Sequence, residues 1–208
     1  MKKILATAAL AFTLFSPTTF AADAPATNAA TSSNNEDIKI AVKDFVEYKS
    51  TTYGYTIKCP FQPAAVTDLK FDEPAEKGEM LVFLNDGPEV VLGYRINLDA
   101  FPEQNAPNFN KDDQKTLDSY IEYLKSVNAL DTAMITNIGK DNKGVFMVTA
   151  KEITTDEGET ITADSQIAML IFRTKNGDRV SMQLLTQDFS QELIDAFIYS
   201  ASTLNVSK

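Results

Sequence analysis

Histidine and tryptophan are absent from the 208 residues, and Cys59 is the one cysteine. Without histidine there is no usual general base at neutral pH, no usual zinc ligand and no Ser/His or Cys/His nucleophile pair. One thiol cannot close an internal disulfide, so the fold rests on its core even in an oxidising compartment. The glycine-rich phosphate loop, the dinucleotide fingerprint and the nucleophile elbow are missing as well. Positive charge is scarce: 19 Lys and Arg face 29 Asp and Glu, a formal charge of −10. Such a surface repels phosphate backbones and anionic lipid, which argues against nucleic acid as a partner.

What is present begins with an export pattern. Lys2 and Lys3 precede a mostly apolar run, Ile4–Phe15. That run has signal-peptide length, whereas a spanning helix needs about twenty residues. Thr19 and Ala21 are small residues at −3 and −1 of a cut after Ala21. Residues 1–21 are therefore expected to be removed and the chain to be exported, periplasmic or extracellular, with no stable membrane span left. Loss of two lysines and no acid takes the charge from −10 to −12. Residues 22–36 carry no large apolar side chain and are expected to be a flexible linker.

Residues 37–208 are expected to form one domain. Residues 38–44 fit a helix and a strand equally well. Phe45–Lys49 and Tyr53–Cys59 read as a strand pair around a turn at 50–52, the second alternating in polarity and closed by Pro60. Met80–Leu84 and Val90–Asp99 read as strands, and residues 100–115 as a long surface loop. Leu117, Tyr120, Ile121, Leu124 and Val127 mark an amphipathic helix. Four strands follow: Ala133–Ile138, Val145–Ile153, Ile161–Thr174 and Arg179–Thr186. Asn176-Gly177 predicts a two-residue turn joining the last two. In that register Lys175 faces Asp178, and Ile167, Met169 and Ile171 share a face with Val180, Met182 and Leu184. Arg173 and Arg179 then point to opposite faces. The Ile167 face is apolar, and the other, with Ala168, Leu170 and Phe172 beside Ser181, Gln183 and Leu185, is mixed; apolar groups on both faces call for a layer on each side. Ser190 caps a final helix, with Phe189 and Ile194 as a hydrophobic staple and Leu193, Phe197, Ala201 and Leu204 in its buried stripe. The expected class is α+β: a largely antiparallel sheet with amphipathic helices packed on it.

Phe45-Val-Glu-Tyr-Lys followed by Tyr53-Gly-Tyr-Thr-Ile-Lys-Cys-Pro60 resembles the opening hairpin of the PsbP/Mog1-like superfamily. The later order of strands, helix, four strands and helix before Leu204-Asn205-Val206 is similar too, so the resemblance covers residues 45–206. It departs at Phe61-Gln62-Pro63, where many relatives carry a tryptophan. The resemblance implies an α/β/α sandwich that works by binding, as in photosystem accessory subunits, partners of a small GTPase and envelope-associated chaperones. It brings no functional residue to this chain.

Cys59 shares a strand face with Tyr55 and Ile57, which favours a buried small hydrophobe over a reactive thiol. Asn108, Asn110 and Asp112 alternate as calcium ligands do, but the glycine and distal acid of that loop are lacking. Asp112, Asp113, Asp156, Glu157 and Glu159 are acids that a carboxylate mechanism would draw on. Arg95, Asn97, Asp99, Phe101 and Phe109, on and after one strand, form the candidate binding surface. No catalytic residue, metal site or cofactor is expected. The functional expectation is an exported, non-catalytic binding or assembly protein whose partner is another envelope protein or complex. The alternatives are a carrier of a small apolar or amphipathic ligand and a histidine-free, carboxylate-dependent hydrolase.

Overall fold

In the computed structural model the described residues are 44–84, 90–98, 107–154, 158–163, 165–186 and 189–207. The expected signal, the linker and residues 38–43 of the ambiguous segment 38–44 lie outside them, as do Asp99, Phe101, Asp156 and Glu157.

Two strands open the described chain, β1 (Val46–Lys49) and β2 (Tyr55–Cys59), paired antiparallel from Val46↔Cys59 to Lys49↔Thr56. The turn between them closes through Ser50 N–H to Tyr55 C=O, with Gly54 in the left-handed region at φ 68°. Then come β3 (Ala65–Asp68), a 3-10 turn at Leu69–Phe71, β4 (Gly78–Leu84) and β5 (Val90–Asn97). Helix α1 (Gln114–Val127) precedes β6 (Leu130–Asn137), β7 (Lys143–Thr149), β8 (Glu152–Thr154), β9 (Thr160–Thr162), β10 (Ala168–Arg173) and β11 (Arg179–Leu185). Helix α2 (Gln191–Thr203) and β12 (Asn205–Val206) end it.

Seven strands form one antiparallel sheet in the order β3-β4-β5-β11-β10-β7-β6. A small sheet, β1-β2-β12, and a separate ribbon, β8-β9, complete the pairing. Strand β10 shows why there are three layers. Ala168, Leu170 and Phe172 face a core shared with Tyr55 and Ile57 of β2 and with Leu193, Phe197 and Ala201 of α2. Its alternate residue Ile171 faces a second core, with Leu117, Ile121 and Leu124 of α1. The period of two along the strand thus assigns one helix to each side. Ring contacts Phe83–Tyr94 (5.1 Å) and Tyr94–Phe197 (5.5 Å) run from the sheet into α2. Ser190 caps α2 as expected, its hydroxyl accepting the Leu193 N–H. Val127, expected in the α1 stripe, is 57% exposed. Ten residues beyond Leu117 it has rotated to about 80° from that residue's direction.

The β10–β11 register differs from expectation by one residue. Leu170 pairs with Met182 and Phe172 with Val180, so the even-numbered residues of β10 face Val180, Met182 and Leu184. The loop has three residues. Gly177 N–H closes a turn on Thr174 C=O, and Thr174 N–H then bonds Asp178 C=O. Gly177 adopts φ 87°, the bulge geometry of a three-residue hairpin, and the Thr174 hydroxyl accepts the Asp178 N–H. Thr174, not Lys175, therefore faces Asp178. One residue of slip exchanges the faces of a strand. Arg173 and Arg179 become direct partners on one side of the ribbon instead of lying on opposite faces.

Two expected strands are also divided. Val145–Ile153 splits into β7 and β8 at Ala150, whose N–H turns to Ala129 C=O. Ile161–Thr174 splits into β9 and β10, because the Thr149 hydroxyl takes the Ile167 N–H and Thr149 C=O takes the Gln166 amide. Strand β3 was not expected; it is short, largely exposed and follows Pro60 and Pro63, so it carries no alternating pattern.

Gly78 and Gly177 separate two glycine requirements. A Cβ on Gly78 would stand 1.8 Å from Ile96 O, whereas one on Gly177 meets nothing within 4 Å. Gly78→Ala is expected to cost more than about 3 kcal/mol through backbone displacement. Gly177→Ala should cost about 1–2 kcal/mol, from positive φ alone. Urea unfolding of the two variants, compared by midpoint, checks the order.

Candidate functional site

Of the five residues of the expected surface, Arg95, Asn97 and Phe109 are described. Arg95 and Asn97 share the face of β5 opposite to α2, since Tyr94 and Ile96 point into the α2 core. The chain between β3 and β4 folds across that face. It is anchored by buried Leu69, by Asp72 and Glu76 N–H groups on Leu69 C=O, and by Leu98 N–H on Lys77 C=O. Asp72 and Glu76 are thereby delivered to Arg95. Nη2 of Arg95 lies 2.7 Å from Asp72 Oδ2 and 3.3 Å from Glu76 Oε1, and the Asn97 amide donates to Glu76 Oε2 at 2.9 Å. The arginine side chain is 12% exposed. Its charge is committed to this acidic loop, so the pair braces the sheet edge. Phe109 is not a surface residue: it is 4% exposed and packs on Tyr120 in the α1 core. It lies before the helix in a polar stretch, so no periodicity marks it as a member of the core with Leu117, Ile121 and Leu124.

The opposite face of β4 carries a cluster that residue spacing did not indicate. Glu79 points inward with Leu81 and Phe83 and is only 3% exposed. Its Oε2 accepts the hydroxyls of Tyr55 (2.8 Å) and Tyr48 (3.0 Å), and its Oε1 accepts the Ser50 hydroxyl (3.1 Å). A buried carboxylate is tolerable when such donors replace its water. Tyr48 and Ser50 bracket the end of β1, and Tyr55 begins β2, so one turn presents all three. Burial pushes the phenols of Tyr48 and Tyr55 up, and the nearby Glu79 carboxylate adds to it. Both therefore keep their protons and remain donors. Beside them the Tyr53 hydroxyl donates to Asp68 Oδ1 at 2.6 Å. That bond and the Lys70 N–H hold Asp68 down at about 2, and Lys70 Nζ pairs with it at 2.9 Å.

The remaining sequence candidates are placed as follows. Cys59 is buried beside Ile57, and burial pushes its thiol up to about 12, away from nucleophilic character. Asp113 caps α1 by accepting the Thr116 N–H, and Asp112 accepts the Asn108 N–H. Asn108 accepts the Asn110 N–H, so the alternating polar groups of this loop bond one another. Among the described residues, no three His, Cys, Asp or Glu side chains are grouped to hold a metal. No helix among them is long and apolar enough to cross a membrane.

No protein-family model matches the chain, and no curated protein matches it. Among solved structures, the chain is similar to the solution structure of cyanobacterial PsbP (CyanoP) from Synechocystis sp. PCC 6803. The match has 14% identity and a TM-score of 0.45, covering 81% of this chain and 95% of that one.

Chemically, the Glu79 cluster offers no open position. All three of its contacts are hydroxyl donors of the chain itself, so the carboxylate serves as an acceptor that ties the small sheet to the edge of the large one. Glu79→Ala strands two buried hydroxyls, those of Ser50 and Tyr55, and the half-buried one of Tyr48, and is expected to cost about 3 kcal/mol or more. Tyr48→Phe removes one donor and should cost about 1 kcal/mol. Denaturant midpoints of both variants test that order.

Asp68 supplies a pH dependence. Its folded value lies below the ordinary 3.8, so its contribution is complete above about pH 4 and is lost as pH falls toward about 2. Asp68→Asn should lower the urea midpoint at pH 6 and approach the unaltered protein at pH 2.5. A gap of constant size between the two proteins would contradict this.

Proposed function

We propose that the chain is an exported, non-catalytic binding or assembly protein of the bacterial cell envelope, of the PsbP/Mog1-like kind. The observation that carries the reading is the use of charge in the described residues. Glu79, a buried carboxylate, and Arg95, an enclosed cation, each end in contacts within the chain. Such groups build a rigid scaffold, and a scaffold of this kind acts through its surface. The Lys2-Lys3 and Ile4–Phe15 pattern supports the envelope location. The carrier alternative draws no support from the α2 interface, where Tyr94, Phe83 and Phe197 are fully buried against one another. The hydrolase alternative draws none from Asp112 and Asp113, which cap their own loop and helix.

The test is crosslinking in intact cells that produce the full chain with a C-terminal tag. The expected result is a product whose N-terminus follows Ala21, recovered from the envelope fraction with a reproducible protein partner. Intact precursor in the cytosol, or crosslinks that fail to repeat between cultures, would overturn the reading.

A further inference from the structure

The large sheet ends on two strands of unequal character. Strand β3 closes one side; it has four residues, follows Pro63 and ends on Asp68. Strand β6 closes the other; it has eight residues, with no lysine, proline or glycine and one charge, Asp131. In the small sheet the outer strand β1 is again short, and it carries Glu47 and Lys49. Shortness, charge and proline keep an edge from adding strands. Strand β6 has little of this protection: beyond Asp131 there is a bulge between Leu130 and Thr132, which leaves Ala133–Asn137 regular.

The pairing with β7 fixes which groups face out. Ile138 N–H bonds Asn142 C=O, and Thr136↔Gly144 and Met134↔Phe146 continue that register. Alternation along an antiparallel pair then turns the backbone of Met134 and Thr136 to β7 and that of Ala133, Ile135 and Asn137 outward. Among the described residues nothing bonds these outward N–H and C=O groups. The side chains alternate as well. Ala133 and Ile135 join the α1 core, whereas Met134 lies on the other face and is 50% exposed.

We propose that the β6 edge pairs antiparallel with the β6 edge of a second copy of this chain, about a two-fold axis at Met134. The proposal goes beyond the binding reading above and does not rest on it. Two identical edges must join outward-facing positions to outward-facing positions. Ala133 opposite Ile135 of the second copy satisfies this. The same register sets Met134 against Met134, at a position where opposed side chains stand closest, and Thr132 against Thr136, a favourable cross-strand pair. Charge also favours a second copy at this edge. Copies of a chain with formal charge −10 repel over most of their surface, but β6 brings one acid each. The two Asp131 residues end about 20 Å apart, beyond the screening length of about 10 Å in 0.1 M salt. Each lies instead at the end of the second copy's strand where Asn137 pairs with exposed Lys143. The turn between those two adds one charge of each sign, Lys140 and Asp141. So few paired residues bury less than the roughly 1,000 Å² of a stable complex, so the dimer is weak and forms as concentration rises.

The test is the mass of the purified chain by sedimentation velocity, from about 5 µM to about 500 µM. The expected result is a rise from one chain toward two. M134K and M134E each place like charges on the axis and should weaken association at least about tenfold, whereas their equal mixture places opposite charges there and should recover to within about threefold of the unaltered protein. V66K adds the charge of M134K to the β3 edge and should change association by less than about twofold. Far-UV circular dichroism confirms that each variant is folded. A single-chain mass at every concentration, a dimer indifferent to M134K, or a mixture no heavier than either variant alone would overturn the proposal. So would an envelope partner whose crosslinking M134K abolishes while the chain alone stays monomeric, since the edge would then belong to that partner. A single-chain mass with envelope crosslinks intact removes this assignment and leaves the binding reading in place.

Discussion

The carboxylate of Glu79 is the constraint around which the sheets are arranged. A charge buried to this degree is unfavourable unless hydrogen bonds replace its hydration. Here the replacement is three hydroxyls from the β1–β2 hairpin, so the small sheet and strand β4, next to the edge of the large sheet, can be neither separated nor slid without stranding the acid. The hairpin turn, opened by Ser50 and closed by Gly54, is what brings Tyr48, Ser50 and Tyr55 to one point. Strand β12 then pairs with β2, which fastens the far end of the chain to the same hairpin.

The sheet edge is braced on both faces by charge, with different chemistry on each. Inward, one anion is held by neutral donors. Outward, one cation, Arg95, is held by Asp72 and Glu76. These residues are neighbours across one strand pair, since Glu79 lies opposite Ile96 and Met80 opposite Arg95. Elsewhere the sheet is held by apolar packing, α2 and the small sheet on one face and α1 on the other. Both braces close within the chain.

Much of the architecture was legible in local pattern. The stripe Leu117, Ile121, Leu124, the Ser190 cap and the alternation of Tyr55, Ile57 and Cys59 depend on residues a few positions apart, and each is found as expected. The two apolar faces of β10 correctly implied a layer on each side. The candidate surface was less legible. Arg95 and Asn97 do stand together, but their acidic partners come from a loop some twenty residues earlier with no periodicity to reveal it. Phe109 looked like a loop aromatic and is core, because only the return of the chain under α1 buries it. Glu79 sat in a polar stretch, and nothing local says that three hydroxyls from residues 48–55 converge on it.

The sequence by itself determined the α+β class, the two amphipathic helices and the strands with clear alternation, because side-chain periodicity is a property of neighbouring residues. Tertiary structure decided the β10–β11 register, the breaks at Ala150 and before Ala168, and the meeting of the two charge braces. The register turned on whether Thr174 or Lys175 closed the loop, a choice of one residue settled by the Thr174 hydroxyl and the left-handed Gly177. Contacts between distant segments have no signature in spacing; they exist only once the layers have packed and each buried polar group must find a partner.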